Sequence, residues 1–511
     1  MNSNANSNAA EPSRYFTGRA ARTIGGLIRR IGRYIFSRRM VWAVAILASL
    51  LGLIHQYENW NATRELASAR AGVLARIGTE NLIDILPEVV PEEENFFAVP
   101  IIKSWRKSNP MGAGLFEYVF PAEQLLPVGF PSPVVLRDTG DMHLDLAGWV
   151  QQRTATGRPL SAGQSPASAL QSDLAGHREI ITLLIAGLDR PGSQIIPCRR
   201  ASLLEANGNP NEAGLPLLTG AMRLQNNLAI HLLASAVVGD AEKTRGIAGV
   251  MLTLAESCAN DPNLVPLLLG MALYQEALGA LSEALHCGTL TDADFNEIQR
   301  WLAKTNDVKA AERTSFGTLL ASATVFDRFK TQVGHRAAFG PDFDAGCFMG
   351  TLIAPIGWVD SNRAFASKMM LLMSGMGGAE TWRSGDAGSM EVASLMQQKS
   401  GGANPRQLLG RIAIPGISGM WVKSAQNLFK RRCAILTCAL HRHWLLHGSY
   451  PTRLTELDAS LLPGPQPDPA RADAPLNYRL TEKGFLLWSV GLDRVDDGGN
   501  PEKDWIWRHE I

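Results

Sequence analysis

The six cysteines form neither a C-x-x-C pair nor any zinc-finger spacing. They are Cys198, Cys258, Cys287, Cys347, Cys433 and Cys438. Cys433 and Cys438 lie five apart, about 140° around a helix, which is too far for the short Cα separation of a disulfide. Buried thiols are the expectation. Equally missing are H-E-x-x-H, a G-x-x-x-x-G-K phosphate loop and a G-x-G-x-x-G turn after a strand. Ser104 and Lys107 in "SWRK" have S-x-x-K spacing without its companion motifs, and "GISGM" at 416–420 does not complete G-x-S-x-G. Net charge is also missing: 49 basic against 48 acidic side chains leave +1. Nothing in that balance calls for nucleic acid or an acidic polymer as partner.

What charge there is lies unevenly. Arg14, Arg19, Arg22, Arg29, Arg30, Arg33, Arg38 and Arg39 crowd the start, and "MVWAVAILASLLGLIHQY" follows at 40–57 without a full charge. Eighteen helical residues reach about 27 Å, enough to cross the hydrocarbon core. Trp42 stands near one end, and Tyr57 and Trp60 near the other, where amphipathic rings favour the headgroup level. The basic flank places the N-terminus in the cytoplasm and the rest outside. A cleaved signal peptide, a buried soluble helix and an arginine-rich organellar presequence are the competing readings.

The expected organisation is a basic cytoplasmic tail (1–39), a transmembrane helix (40–57), a membrane-proximal helix and mixed linker region (58–175), an α-helical domain (176–420) and a C-terminal α+β module (421–511). Residues 87–105, punctuated by Pro87, Pro91 and Pro100, read as a linker turning into a short element. From 177 to 330, apolar residues recur at three-to-four spacing in successive segments broken by "NGNPNEAG" and "NDPN". Thr291 with Asp294 three residues on marks a helix start. No period near 34 or 40 repeats, so a regular solenoid is not expected. Met369, Met370, Met373 and Met376 read as core filler. The fold class is therefore mainly α, with one N-terminal transmembrane helix, an irregular helical extracytoplasmic region and a small α+β end.

Three histidines stand in "HRHWLLHGSY" at 441–450. On a helix His441 and His443 point about 200° apart, whereas His443 and His447 are four apart and share a face. No third ligand accompanies them at metal spacing. The expectation is a helix C-terminus before Gly448, with solvated histidines favoured by the helix dipole. After it come turns, then the alternating runs "LNYRL" and "GFLLWSVG" joined by "TEKG", then an acidic glycine-rich tail.

That ending resembles the globular part of bacterial type II secretion pseudopilins, the major one above all. The matching residues are His447, Gly448, Tyr450, Pro451, Leu454, Leu457, Asp468, Pro469, Tyr478, Arg479, Ser489, Gly491, Asp493, Gly498 and Gly499. It departs from the family in having no G-F-T-L-x-E-like processing site and in placing its apolar span far upstream of the matching helix. The whole chain resembles large membrane-anchored bacterial proteins with a helical middle, in which a stretch like "PEEEN" (91–95) follows the anchor. The pseudopilin resemblance implies a calcium loop, here Asp493, Asp496, Asp497 and Asp504 around Gly498 and Gly499, with Arg494 where a glycine is usual.

The functional expectation is a periplasmic protein on the bacterial inner membrane. It is structural or protein-binding, its partners are other envelope proteins, and secretion or envelope assembly is its setting. The competing class is an extracytoplasmic hydrolase whose site is assembled from scattered residues, with His143, Asp141 and Asp145 as the best acid/base cluster.

Overall fold

The computed structural model describes residues 38–108, 116–118, 125–127, 129–136, 142–194, 215–262, 264–304, 307–331, 355–374 and 404–510. The basic tail up to 37, Asp141, Cys198, Cys347 and Met376 lie outside the described residues.

The chain is mainly helical. Helix α1 (Arg38–Ile77) begins at the basic flank and runs unbroken to Gly78, whose φ of 85° favours glycine. It joins the expected span to the expected membrane-proximal helix in one piece. Its first half is apolar on every side and exposed on every side, from Val41 through Trp42, Leu47 and Leu53 to Ile54. Water does not tolerate such a surface, so this half is a candidate membrane span. A second helix passes the same length and hydropathy test, Leu264–Leu285, but 56% of its apolar window is buried in the protein. It is a core helix.

The second half of α1 is built into the body. Ala62, Leu66 and Val73 are buried, and a helix far along the chain packs on them (Gly357–Ser374). Gly357 makes that approach possible, because a Cβ there would stand 2.8 Å from the Asn59 Cα. Its N–H donates to Asn59 Oδ1 at 2.7 Å. Trp358 Nε1 and Arg406 Nε donate to Glu58 Oε2 at 3.0 and 2.6 Å, Arg406 Nη2 reaches Glu58 Oε1, and Ser361 Oγ donates to Glu65 Oε2 at 2.7 Å.

Residues 87–105, expected as a linker turning into a short element, do form short helices, but their apolar side chains are core rather than linker. Phe96, Phe97, Val99, Ile102 and Trp105 are buried in the main core, the last two at and just beyond the short helix α2 (Pro100–Ser104). The physical reason is Asn95, which is 2% exposed. Its Oδ1 accepts from the N–H of Phe97 and of Gln194, and its Nδ2 donates to Gln194 O. The "PEEEN" turn is thereby stitched to residues 190–194. Two short hairpins, β1 (Arg106–Ser108) with β2 (Phe116–Tyr118) and β3 (Val134–Leu136) with β4 (Met142–Leu144), lead into α3 (Leu146–Ala155), α4 (Pro166–Asp173) and α5 (Arg178–Ala186). Trp149, Ala169 and Leu170 form a small satellite core with Ile230.

The helical body follows as α6 (Leu215–Val237), α7 (Ala241–Ala259), α8 (Leu264–Leu285), α9 (Asp292–Lys304), α10 (Asp307–Thr331) and α11 (Gly357–Ser374). Tight connections fold α6, α7 and α8 back on one another. Asp294 Oδ2 accepts from the N–H and the hydroxyl of Thr291, so α9 starts where the sequence places it. Met369 and Met370 are buried core residues.

The last helix, α12 (Leu408–His447), is 40 residues long and crosses the border expected between body and C-terminal module. One of its faces, with Trp421, Ala425, Leu428, Ile435 and Cys438, lies in the body's core. Another, with Phe429, Cys433, Leu436 and Leu440, lies in a second core with Leu457, Leu461, Leu476, Phe485 and Leu487. That second core is covered by an antiparallel meander of β7 (Asn477–Thr481), β8 (Gly484–Ser489) and β9 (Trp505–Glu510), beside the pair β5 (Pro467–Asp468) and β6 (Arg471–Pro475). The expected hairpin is present. The tail adds a third strand, so β8 becomes the central one and is buried along its whole length.

Candidate functional site

The C-terminal end carries most of the side chains that the sequence singles out. Gly448 ends α12 in the left-handed region, and its N–H returns to Trp444 O at 2.7 Å. The Tyr478 hydroxyl donates to Pro451 O at 2.7 Å and closes the corner after the helix. Asp468, fully buried, accepts from Ser489 Oγ (2.5 Å), Ala470 N (2.8 Å) and Val490 N (3.3 Å). Gly491 has φ 64°, and a Cβ there would stand 2.7 Å from Lys503 O. The D-P turn thus holds the S-x-G strand end through Asp468, and β7 holds the Y-P corner through Tyr478.

The acidic loop behind them holds its four aspartates in separate roles. Asp493 Oδ1 accepts from Val495 N in a local turn. Asp496 Oδ1 accepts from Trp488 Nε1 and Gly498 N, and the Trp488 bond holds its carboxyl below the usual range. Asp497 pairs with the Lys503 ammonium at 2.9 Å. Asp504 Oδ2 accepts from Gly499 N and Asn500 N. Two oxygens, Asp497 Oδ2 and Asp504 Oδ1, are buried without a hydrogen bond. Among the described residues no three carboxylate, imidazole or thiolate groups are placed to hold one metal ion. The loop therefore offers acceptors for a cation, but Lys503 now occupies its field. Arg494, at the position where the resemblance expects glycine, has φ 62°.

The histidines divide differently from the expectation of a solvated trio. His443 and His447 do share a face, with ring centroids 4.3 Å apart on the outer end of α12. His441 is buried, 8% exposed, because its helix face turns into the body. Its Nε2 lies 3.1 Å from His509 Nε2 on β9. The His286 ring, just past α8, stacks on His509 at 4.4 Å. The sequence carries no sign of this meeting, since the three positions belong to three distant segments. His509 arrives on a strand that follows the acidic, glycine-rich loop and takes its form by pairing with β8.

Of the acid/base cluster expected around His143, Asp141 lies outside the described residues. Asp145 caps α3, accepting from Gly148 N at 2.8 Å. His143 Nδ1 instead meets Glu283 Oε1 of α8 at 3.0 Å, and Leu144 N donates to the same oxygen. The cysteines of the described region are free; burial pushes the Cys258 and Cys438 thiols up to about 12 and makes them inert.

No protein-family model matches this chain, and neither the curated proteins nor the solved structures hold a match to it.

Proposed function

We propose that this is a single-pass envelope protein of the bacterial inner membrane, with its N-terminus in the cytoplasm and its body in the periplasm. It presents a pseudopilin-like module to other envelope proteins. The observation that carries the reading is a continuous rigid path from anchor to module. Helix α1 leaves its apolar half and enters the body without a break. Arg406, two residues before α12, grips Glu58 at that joint. From there α12 runs 40 residues, about 60 Å along its axis, and its far end exposes Trp444, Leu445 and Leu446. A tether that only retained a protein at the membrane would need no such path. A display device does.

The pseudopilin-like part of the reading is supported by the roles of the matching residues. Asp468, Ser489, Tyr478 and Gly491 all serve the packing of the corner and loop rather than any reaction. Calcium belongs to the same reading: Asp493, Asp496, Asp497 and Asp504 would hold it, with the unpartnered Asp497 Oδ2 and Asp504 Oδ1 as its first ligands and Lys503 displaced.

The test is a photo-crosslinking residue at Leu446 in the membrane-embedded full chain, with one at Leu183 on the body as control. The same discrete adducts from Leu446 in repeated preparations, weaker from Leu183, are expected. No adduct from Leu446 above the Leu183 background would end the proposal.

A further inference from the structure

We propose that His286, His441 and His509 form an acid-released latch that holds the C-terminal sheet on the helical body. The three imidazoles come from three elements: the turn after α8, the inner face of α12, and β9. His509 is fully buried and His441 nearly so. Three aromatic rings flank the two buried imidazoles. Phe295 of α9 stacks on His441 at 5.3 Å, Phe485 of β8 stacks on His509 at 5.0 Å, and Tyr450 meets His441 edge-on at 5.7 Å.

The contact cannot hold two charged rings. A hydrogen bond between His441 Nε2 and His509 Nε2 needs one donor and one acceptor, and two imidazolium rings carry a proton on both nitrogens. Protonation of both rings therefore replaces the bond with two facing N–H groups and like charge, next to His286 at 4.4 Å. Of the acids in the neighbourhood, Glu283 faces His286, which works against release at that ring, and the others pair with arginines. Glu283 of α8 bonds His143 and the Leu144 N–H, and lies 3.9 Å from His286 Nδ1. Asp292 of α9 pairs with Arg442 of α12, and Asp294 with Arg245. Cys287, beside His286, is a raised thiol and stays neutral. Among the described residues neither His441 nor His509 bonds a carboxylate. Burial, reinforced by His286, holds His441 at about 4, and His509 is pushed down in the same way.

The sign follows. Rings that are neutral when docked and ordinary when released favour docking above their ordinary value of 6.5. That preference fades as pH falls from 6.5 towards 4. Each ring contributes up to about tenfold per pH unit to the release equilibrium, so two contribute up to about a hundredfold. Neutral pH keeps the sheet seated on the body, and mild acid frees β9.

The experiment uses the full chain in detergent micelles. The melting midpoint of the wild type is expected to hold from pH 8 to 7 and to fall steeply between pH 6.5 and 4.5. His441→Phe with His509→Phe places rings that cannot be protonated among aromatic neighbours and is expected to flatten that fall. His443→Gln with His447→Gln, on the outer end of α12, is expected to leave it intact. A second measurement needs no variant: in ring-labelled wild type held well below its melting midpoint, so that the sheet stays docked, His441 and His509 are expected to stay neutral at pH values where an ordinary imidazole is charged. An acid profile of the phenylalanine variant identical to wild type would overturn the proposal, as would titration of every histidine near 6.5 in the folded protein. A rise in melting midpoint on adding zinc at pH 7.5, absent in the phenylalanine variant, would also overturn it, because the pair would then be a metal site.

Discussion

Asp468 shows how a single side chain fixes the module's shape. One buried carboxylate serves a hydroxyl and two backbone N–H groups at the meeting of the β5–β6 turn and the end of β8. Its removal leaves buried donors unpaired, the costly half of hydrogen-bond energetics. Asp468→Ala is expected to lower stability by about 2–4 kcal/mol, read from urea unfolding of the full chain in micelles. A change below about 0.5 kcal/mol would mean that water replaces the carboxylate without loss. The loop aspartates answer to a different measurement. Millimolar calcium is expected to raise the melting midpoint over that with chelator, by about 2.7 kcal/mol of stabilisation at a hundredfold excess over Kd. Asp493→Ala with Asp496→Ala should erase the rise, and Lys503→Ala should enlarge it, since the ammonium and the ion compete for Asp497. Equal midpoints with calcium and chelator would leave Lys503 as the cation that Asp497 holds.

Among elements, the joint between α1 and α11 decides whether the anchor orients the body. Glu58 receives Arg406 through both oxygens and Trp358 through one, in a site half shielded from water. A double-mutant cycle of Glu58→Gln and Arg406→Gln is expected to give a coupling of about 1–3 kcal/mol, larger than the few tenths typical of exposed pairs. Simple additivity would mean that the two act independently. Gly357→Leu tests the same joint sterically, because any side chain meets the Asn59 backbone. It is expected to lower the melting midpoint far more than Gly419→Leu, where a Cβ meets nothing within 4 Å. At this scale sequence reading was uneven. The helices of 215–331 were legible because apolar spacing near 3.6 residues is local. The third strand was missed because its acidic, glycine-rich approach reads as a tail, and only pairing with β8 makes Trp505–Glu510 a strand.

For the molecule as a whole, α12 is the spine. It carries the body's core on one face and the module's core on another, so body and module fold against a shared surface. The topology proposed here predicts opposite sides of the membrane for reporters fused at residues 30 and 70; the same side for both would refute it. The acid-sensitive melting argued above belongs to this scale too, because β9 touches both cores through Trp505 and Trp507.

What the sequence determined by itself was whatever depends on neighbours along the chain. The apolar stretch after the arginines, the Thr291–Asp294 cap and the glycine stop at Gly448 all act over a few positions. The tertiary structure alone decided which distant groups meet. Asn95 finds Gln194, Glu58 finds Arg406, His143 finds Glu283, and His441 finds His509 and His286. No local pattern encodes these pairs, because each is set by how whole helices stack once their apolar faces are buried.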